Sequence, residues 1–189
     1  YYWSTGSTAN SITVTPTTTT TYSVEVTSEK GCKTTATKTI TVNSLPTGSI
    51  TGNLEVCLGG STTLTVTGGK TYLWDDGTTN SSRTFTPLTD MDVSVQIFSE
   101  HGCSSTATAH ISVVPVPTAT ITGETFVCRG TSTSLAASSG ITYLWNTGDR
   151  TENIFIVSGG QYSLKVATSN ADGTLTCYGS DTINVGIYP

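Results

Sequence analysis

The chain has 189 residues, a net charge of −5 and only 11% charged side chains. Nucleic acid or an anionic membrane surface needs clustered Lys and Arg, which a chain with 8 basic and 13 acidic residues does not supply. No apolar run approaches the length of a membrane span, so no membrane insertion is expected of this segment.

Roughly a fifth of the chain is threonine, and the strong helix formers Glu, Lys, Leu and Met are thin. Threonine is β-branched and suits a half-exposed pleated surface, and no window shows helical periodicity. The composition therefore predicts an all-β fold. Trp3, Trp74 and Trp145 are evenly spaced, since 74 − 3 and 145 − 74 both equal 71. The same step carries Cys32 onto Cys103, Cys57 onto Cys128 and Pro46 onto Pro117. A fixed period of this length marks tandem copies of one small domain. Residues 1–43 are read as the C-terminal part of a truncated repeat, and residues 44–115 and 116–189 as complete repeats.

Elements in chain order follow most plainly in copy two. Thr63-Leu64-Thr65-Val66-Thr67 alternates as a half-buried strand should, and Gly68-Gly69 turns the chain into a strand at Tyr72-Leu73-Trp74. Asp75-Asp76-Gly77 ends that strand, and a short one over Ser82 to Thr86 stops at Pro87. Met91, Val93, Val95 and Ile97 share one face of the clearest strand, which is matched by Tyr22-Val24-Val26 and Tyr162-Leu164-Val166. A hairpin at Glu100-His101-Gly102 leads into a last strand through Ala107, Ala109, Ile111 and Val113. Pro115-Val116-Pro117 and Leu45-Pro46 then read as short stiff linkers, which predicts a semi-rigid rod.

Six or seven short strands with turns every eight to twelve residues indicate a β-sandwich. Trp3, Trp74 and Trp145 are the expected core anchors, one to each copy. Little else apolar accompanies each Trp, and thin-cored domains of about 70 residues commonly need staples.

Five repeat-locked cysteines suggest disulfides and an oxidising location. The working pairing is Cys57–Cys103 and Cys128–Cys177, each inside one copy, with the partner of Cys32 falling before residue 1. Closing such a loop would stabilise by about 4 kcal/mol in the chain-entropy model. Topology raises a difficulty, because the turn before the second strand and the last hairpin lie at opposite ends of an Ig-type sandwich. Either Cys57 lies on an early strand running beside Cys103, or the bond joins the foot of one domain to the head of the next. The latter makes Cys57–Cys177 the complete pair. Zinc is not expected, since no Cys-x-x-Cys or paired His accompanies the cysteines.

Motifs for catalysis are missing from the sequence: there is no Gly-x-Ser-x-Gly elbow, phosphate loop or metalloprotease helix, and His101 and His110 do not recur. No enzymatic role and no resident cofactor are expected. Asp75, Asp76, Asp90, Asp92 and Asp149 read as turn and strand-end residues. Calcium requires six to eight oxygens from several segments. Its best candidates are Asn170 and Asp172, in a hairpin that is three residues longer than its counterpart (177 − 103 is 74, not 71).

The pattern Tyr-x-Trp-x-x-Gly, a Thr-rich strand ending in Thr-Pro, Tyr-Ser-Val-x-Val and Gly-Cys resembles a known family. Its carriers are Tyr1 to Trp3 with Gly6, Ser11 to Pro16, Tyr22 to Val26 and Gly31-Cys32. They recur as Tyr72 to Trp74 with Gly77, Thr84 to Pro87, Val93 to Ile97 and Gly102-Cys103, and in copy three as Tyr143 to Trp145 with Gly148 and Tyr162 to Val166. The Val-Cys-x-Gly elements at Val56 and Val127 belong to the same pattern. It is similar to the PKD-like and bacterial Ig-like tandem repeats of large Bacteroidota cell-surface proteins. Copy three departs from it in its longer hairpin and in Ser158, which replaces the strand-ending Pro.

The resemblance implies tandem Greek-key β-sandwiches, export through the type IX route, and a place outside the cell on an outer-membrane-associated protein. It implies a structural or adhesive repeat of the gliding-motility adhesin type. Its partners would be neighbouring repeats, extracellular glycans or surfaces, and the secretion machinery during export. The alternative it implies is an accessory spacer or carbohydrate-binding module of a secreted polysaccharide-degrading enzyme. Asp181-Thr182-Ile183 matches the O-glycosylation acceptor of this bacterial group, which makes Thr182 the glycosylation candidate.

Overall fold

The computed structural model describes residues 1–138 and 140–189, and all regular structure among them is β-strand. Copy one contributes β1 (Tyr2–Trp3), β2 (Thr20–Thr27) and β3 (Lys33–Ile40), which form one antiparallel sheet in that order. Copy two contributes β4 (Ser49–Thr51), β5 (Glu55–Cys57), β6 (Thr62–Thr67), β7 (Thr71–Trp74), β8 (Ser82–Phe85), β9 (Met91–Phe98) and β10 (Ser104–Val114). These make two sheets, ordered β4-β6-β8 and β5-β10-β9-β7. Copy three repeats the plan with β11 (Ile121–Gly123), β12 (Phe126–Cys128), β13 (Thr133–Ala137), β14 (Thr142–Trp145), β15 (Asn153–Ile156), β16 (Gly160–Ser169) and β17 (Thr176–Tyr188). Its sheets run β11-β13-β15 and β12-β17-β16-β14.

Alternation explains the layering. Along β6 the inward residues Thr62, Leu64 and Val66 are buried while Thr63, Thr65 and Thr67 face water, and β9 buries Val93, Val95 and Ile97. Each complete sandwich closes on its own core. Leu64, Val66, Trp74, Phe85, Val93, Val95, Ile97 and Ile111 fill one, and Leu135, Trp145, Ile154, Ile156, Leu164, Val166 and Val185 the other. Burying each such aliphatic side chain contributes about 1.5–3 kcal/mol.

Trp74 and Trp145 are almost completely buried. Each indole N–H donates to a carbonyl further along the turn, Asn80 O and Thr151 O, both at 2.9 Å. The bond is needed because a buried indole donor without an acceptor costs about 1–3 kcal/mol. Trp3 makes the same bond to Ala9 O at 2.8 Å but is only half-buried, on a sheet that no second layer covers among the described residues. The sequence motif Trp-x-x-Gly is thus one compact turn, closed by the Gly N–H to the Trp carbonyl at 2.8–3.0 Å in all three copies.

The first edge of each sandwich is split between its two sheets, with β4 in one and β5 in the other. Gly52 makes the crossing at φ +138°, where a Cβ would also meet the Thr63 carbonyl oxygen at 2.6 Å. After the crossing, β5 pairs in parallel with the last strand of its sandwich, setting Cys57 opposite Val114. In copy three β12 likewise sets Cys128 opposite Tyr188.

Replacing Trp74 with Ala should destabilise copy two by about 3–5 kcal/mol. Urea unfolding followed by far-UV circular dichroism should resolve an early transition for that sandwich, while Trp145 fluorescence keeps its original midpoint.

Candidate functional site

Parallel pairing of β5 with β10 decides the cysteine chemistry. Cys57 lies opposite Val114 at the end of β10, whereas Cys103 immediately precedes the start of that strand. The whole of β10, 11 residues long, therefore separates them. At about 3.3 Å per residue the two are roughly 35 Å apart, whereas a disulfide needs Cα atoms within about 7 Å. Copy three separates its pair in the same way: Cys177 lies at the start of β17, and Cys128 lies opposite Tyr188 at its end. The within-repeat pairs Cys57–Cys103 and Cys128–Cys177 are therefore replaced. Cys57 does lie on an early strand beside the last one, but at its far end. Instead Cys57 bonds Cys177 of the next copy, across a sequence separation of 120 and with Cα atoms 5.6 Å apart. Cys32, Cys103 and Cys128 are free thiols in this structure.

The joint around this bond is built from the foot of copy two and the head hairpin of copy three. Cys177 is 1% exposed and therefore sealed from solvent. Asn170, at the hairpin bend, donates its amide N–H to the Glu55 carboxylate on β5. Thr168 Oγ1 donates to the Pro115 carbonyl at 3.0 Å, tying β16 to the linker. The Ile121 N–H donates to Asp181 Oδ2 at 2.8 Å, tying the start of copy three to its own last strand. Gly179 lies so close to the linker that an added Cβ would fall 1.8 Å from the Pro117 carbonyl oxygen. Here the polypeptide between two domains is held by a covalent bond and by hydrogen bonds on both sides.

The longer hairpin of copy three is part of this joint. In copies one and two the bend is a Ser-x-x-Gly-Cys turn: Gly31 N–H donates to Ser28 O at 2.9 Å, and Gly102 N–H to Ser99 O at 3.1 Å. In copy three Asn170 replaces that serine, accepting from Gly173 N–H at its carbonyl and from Leu175 N–H at its side chain. Asp172 Oδ1 accepts both the N–H (3.0 Å) and the hydroxyl (2.7 Å) of Thr174. The Thr174 hydroxyl and N–H together hold the Asp172 carboxyl below the ordinary aspartate range. Asn170 and Asp172, the calcium candidates, thus serve as caps of the bend. No group of three His, Cys, Asp or Glu suited to a metal gathers among the described residues.

The other sequence-selected residues lie apart from the joint. Thr182 is exposed on β17, and its N–H is taken by Asp181 Oδ1 at 2.8 Å. His110 meets Asp92 at 2.7 Å on an exposed face, and His101 sits at the tip of the copy-two hairpin. Asp75 and Asp76 both clasp Arg83, whose guanidinium lies 4.3 Å from the Phe85 ring centroid. Phe85 packs edge-on against Trp74 at 5.9 Å, so the acidic turn serves to clamp a cation over the core. Nothing in the repeat spacing marks Glu55 or Thr168 as joint residues. Their sole signal is adjacency to Cys57 and to the lengthened hairpin.

No family model matches the chain, and no curated protein matches it in sequence. Among solved structures, it is similar to a Ca2+-stabilized adhesin that helps an Antarctic bacterium bind ice, at 14% identity and a TM-score of 0.37, over 90% of this chain and 57% of that one. It thus spans under two thirds of that adhesin chain. Murine CEACAM1b matches at 14% identity and a TM-score of 0.36, over 75% of this chain and 100% of its own. A Bacteroides ovatus surface glycan-binding protein, SGBP-B, solved with a mixed-linkage heptasaccharide, matches at 14% identity and a TM-score of 0.26, over 89% of this chain and 53% of its own.

Both the bend and the disulfide can be probed by substitution. Thr174→Val should raise the Asp172 titration midpoint toward the ordinary aspartate value in carboxyl-carbon NMR, since the hydroxyl is the largest cause of its depression. The sign is that of a depressed carboxyl: the bend gains stability above the ordinary value and loses it as pH falls through the lowered midpoint. Replacing both Cys57 and Cys177 with Ser should lower stability by up to about 5 kcal/mol, the chain-entropy value for so long a loop. Chemical denaturation of the oxidised parent against the double variant measures this.

Proposed function

We propose that this segment is a structural and adhesive spacer of an extracellular surface protein, holding successive β-sandwiches in fixed orientation so that a binding region stands away from the cell. The observation that carries this reading is the Cys57–Cys177 bond between two domains that already have separate, complete cores. Neither sandwich needs that bond to enclose its own core. What the bond restrains is the angle between them: the stiff Pro115-Val116-Pro117 linker sets their spacing, and the cross-link adds a second point of attachment that fixes their orientation. A disulfide also fits an oxidising location outside the cytosol.

Export by the type IX route, outer-membrane association and a part in gliding or surface adhesion extend this reading along the sequence resemblance. Glycans or solid surfaces would be the ligands, with Thr182 as a site of sugar attachment. We assign the segment no reaction and no cofactor. Sparse charge and a threonine-rich surface suit repeated weak contacts with hydroxyl-rich material.

Small-angle X-ray scattering of the oxidised chain and of the Cys57→Ser, Cys177→Ser variant tests the spacer role. The oxidised chain should give a single narrow distribution of interdomain distances, and the variant a visibly broader one. Equal distributions would remove the proposed role of the joint. Binding of the chain to a glycan array tests adhesion separately, and a flat array would leave spacing alone.

A further inference from the structure

The foot of copy three repeats the foot of copy two, feature by feature. Both end in Val-Cys on a short strand that runs parallel to the last strand of its sandwich. The residue after each cysteine donates its N–H to that last strand: Leu58 to Val114 O at 2.8 Å, Arg129 to Tyr188 O at 3.1 Å. Each cysteine carbonyl then accepts an N–H from the turn that follows, Gly60 at 2.7 Å and Thr131 at 3.0 Å. Gly59 and Gly130, in the same turns, share a φ of +81°. One foot presents Cys57 to the hairpin of a following repeat. The other presents Cys128 to solvent.

What surrounds Cys128 is an uncovered contact surface. Phe126 stacks on Tyr188 with ring centroids 4.8 Å apart, yet the two are 51% and 53% exposed. Two stacked aromatic rings half in water, on the same strand face as a free thiol, are the kind of patch that marks an interface. Phe126 stands where copy two has Glu55, the residue that Asn170 bonds across the existing joint. This foot therefore selects an apolar residue where the first joint selects an amide.

From these equivalences we infer that the foot of copy three is the socket of a second inter-repeat joint, whose occupant is the head hairpin of a further repeat joined in series beyond Pro189. The hairpin brings a cysteine to Cys128, and apolar side chains of its bend cover Phe126 and Tyr188. Bond formation is a thiol–disulfide exchange: the Cys128 thiolate attacks a small disulfide oxidant such as oxidised glutathione, releasing one thiol. The incoming hairpin thiolate then attacks the mixed disulfide, releasing the second. Two protein thiols are oxidised and one oxidant disulfide is reduced to two thiols. The inference rests on the spacer reading, because a joint that recurs is what keeps a longer array stiff.

The test uses a chain in which residues 116–189 are repeated once after Pro189, with the appended counterpart of Asn170 changed to Leu to match the apolar foot, oxidised with glutathione and mapped by mass spectrometry without reduction. Cys128 should be found bonded to the appended counterpart of Cys177, with the Cys57–Cys177 bond retained as an internal control. Aromatic NMR signals of Phe126 and Tyr188 should shift on extension, and still shift when Cys128→Ser removes the bond. A Cys128 that stays alkylatable, with those signals unmoved while the appended tryptophan shows a folded environment, would overturn the inference. Cys128–Cys128 dimers would also overturn it, by making a second chain the occupant. Loss of the control bond alone would count against the spacer reading instead.

Discussion

A disulfide between domains constrains something different from a disulfide within one. In this chain each complete sandwich already closes around a buried Trp and a ring of β-branched and leucine side chains. The Cys57–Cys177 bond adds nothing to either core. It fixes the foot of one against the hairpin of the next, and with Thr168, Asp181 and Gly179 it leaves the linker little freedom to bend. The copy-two side of the joint, Cys57 and Glu55, can be traced to the split first strand, which changes sheets at Gly52 and delivers Cys57 to the end of the sandwich where the next copy begins.

Because the two complete sandwiches share one strand plan, such a joint needs no dedicated domain. Foot and head are both parts of one repeat, so a single unit carries the two halves of the contact and can use them with different neighbours. Copy three shows that the halves can be tuned separately. Its hairpin is longer and capped by Asn170 and Asp172, and its foot exchanges the Glu55 carboxylate for the Phe126 ring. The joint between copies two and three is thus polar at its rim, and the following surface is aromatic.

Much of the fold is legible in the sequence because period-two alternation and turn glycines act locally. The strand at Met91 to Ile97, the Trp-x-x-Gly turn and the β-sandwich class all follow from such local rules. What sequence could not assign was the short strand Glu55–Cys57, which leaves no room for alternation to show. Its partner β10 is the last strand of the sandwich and runs parallel to it, so no hairpin signal announces the pairing. Missing that strand leaves Cys57 unplaced, and with it the choice between pairing inside and between copies. The clasp of Asp75 and Asp76 on Arg83 was hidden for a related reason, since it depends on Phe85 packing edge-on against Trp74. The lengthened hairpin did stand out as a break in the period, and it proved to be the part that reaches the neighbouring domain.

That the covalent link runs between domains, and not within one, can be checked on the oxidised chain itself. Alkylation without reductant, followed by digestion and disulfide mapping, reads the connectivity directly. One Cys57–Cys177 cross-link is expected, with Cys32, Cys103 and Cys128 all carrying the alkyl label. A Cys57–Cys103 or Cys128–Cys177 cross-link would contradict the inter-domain joint.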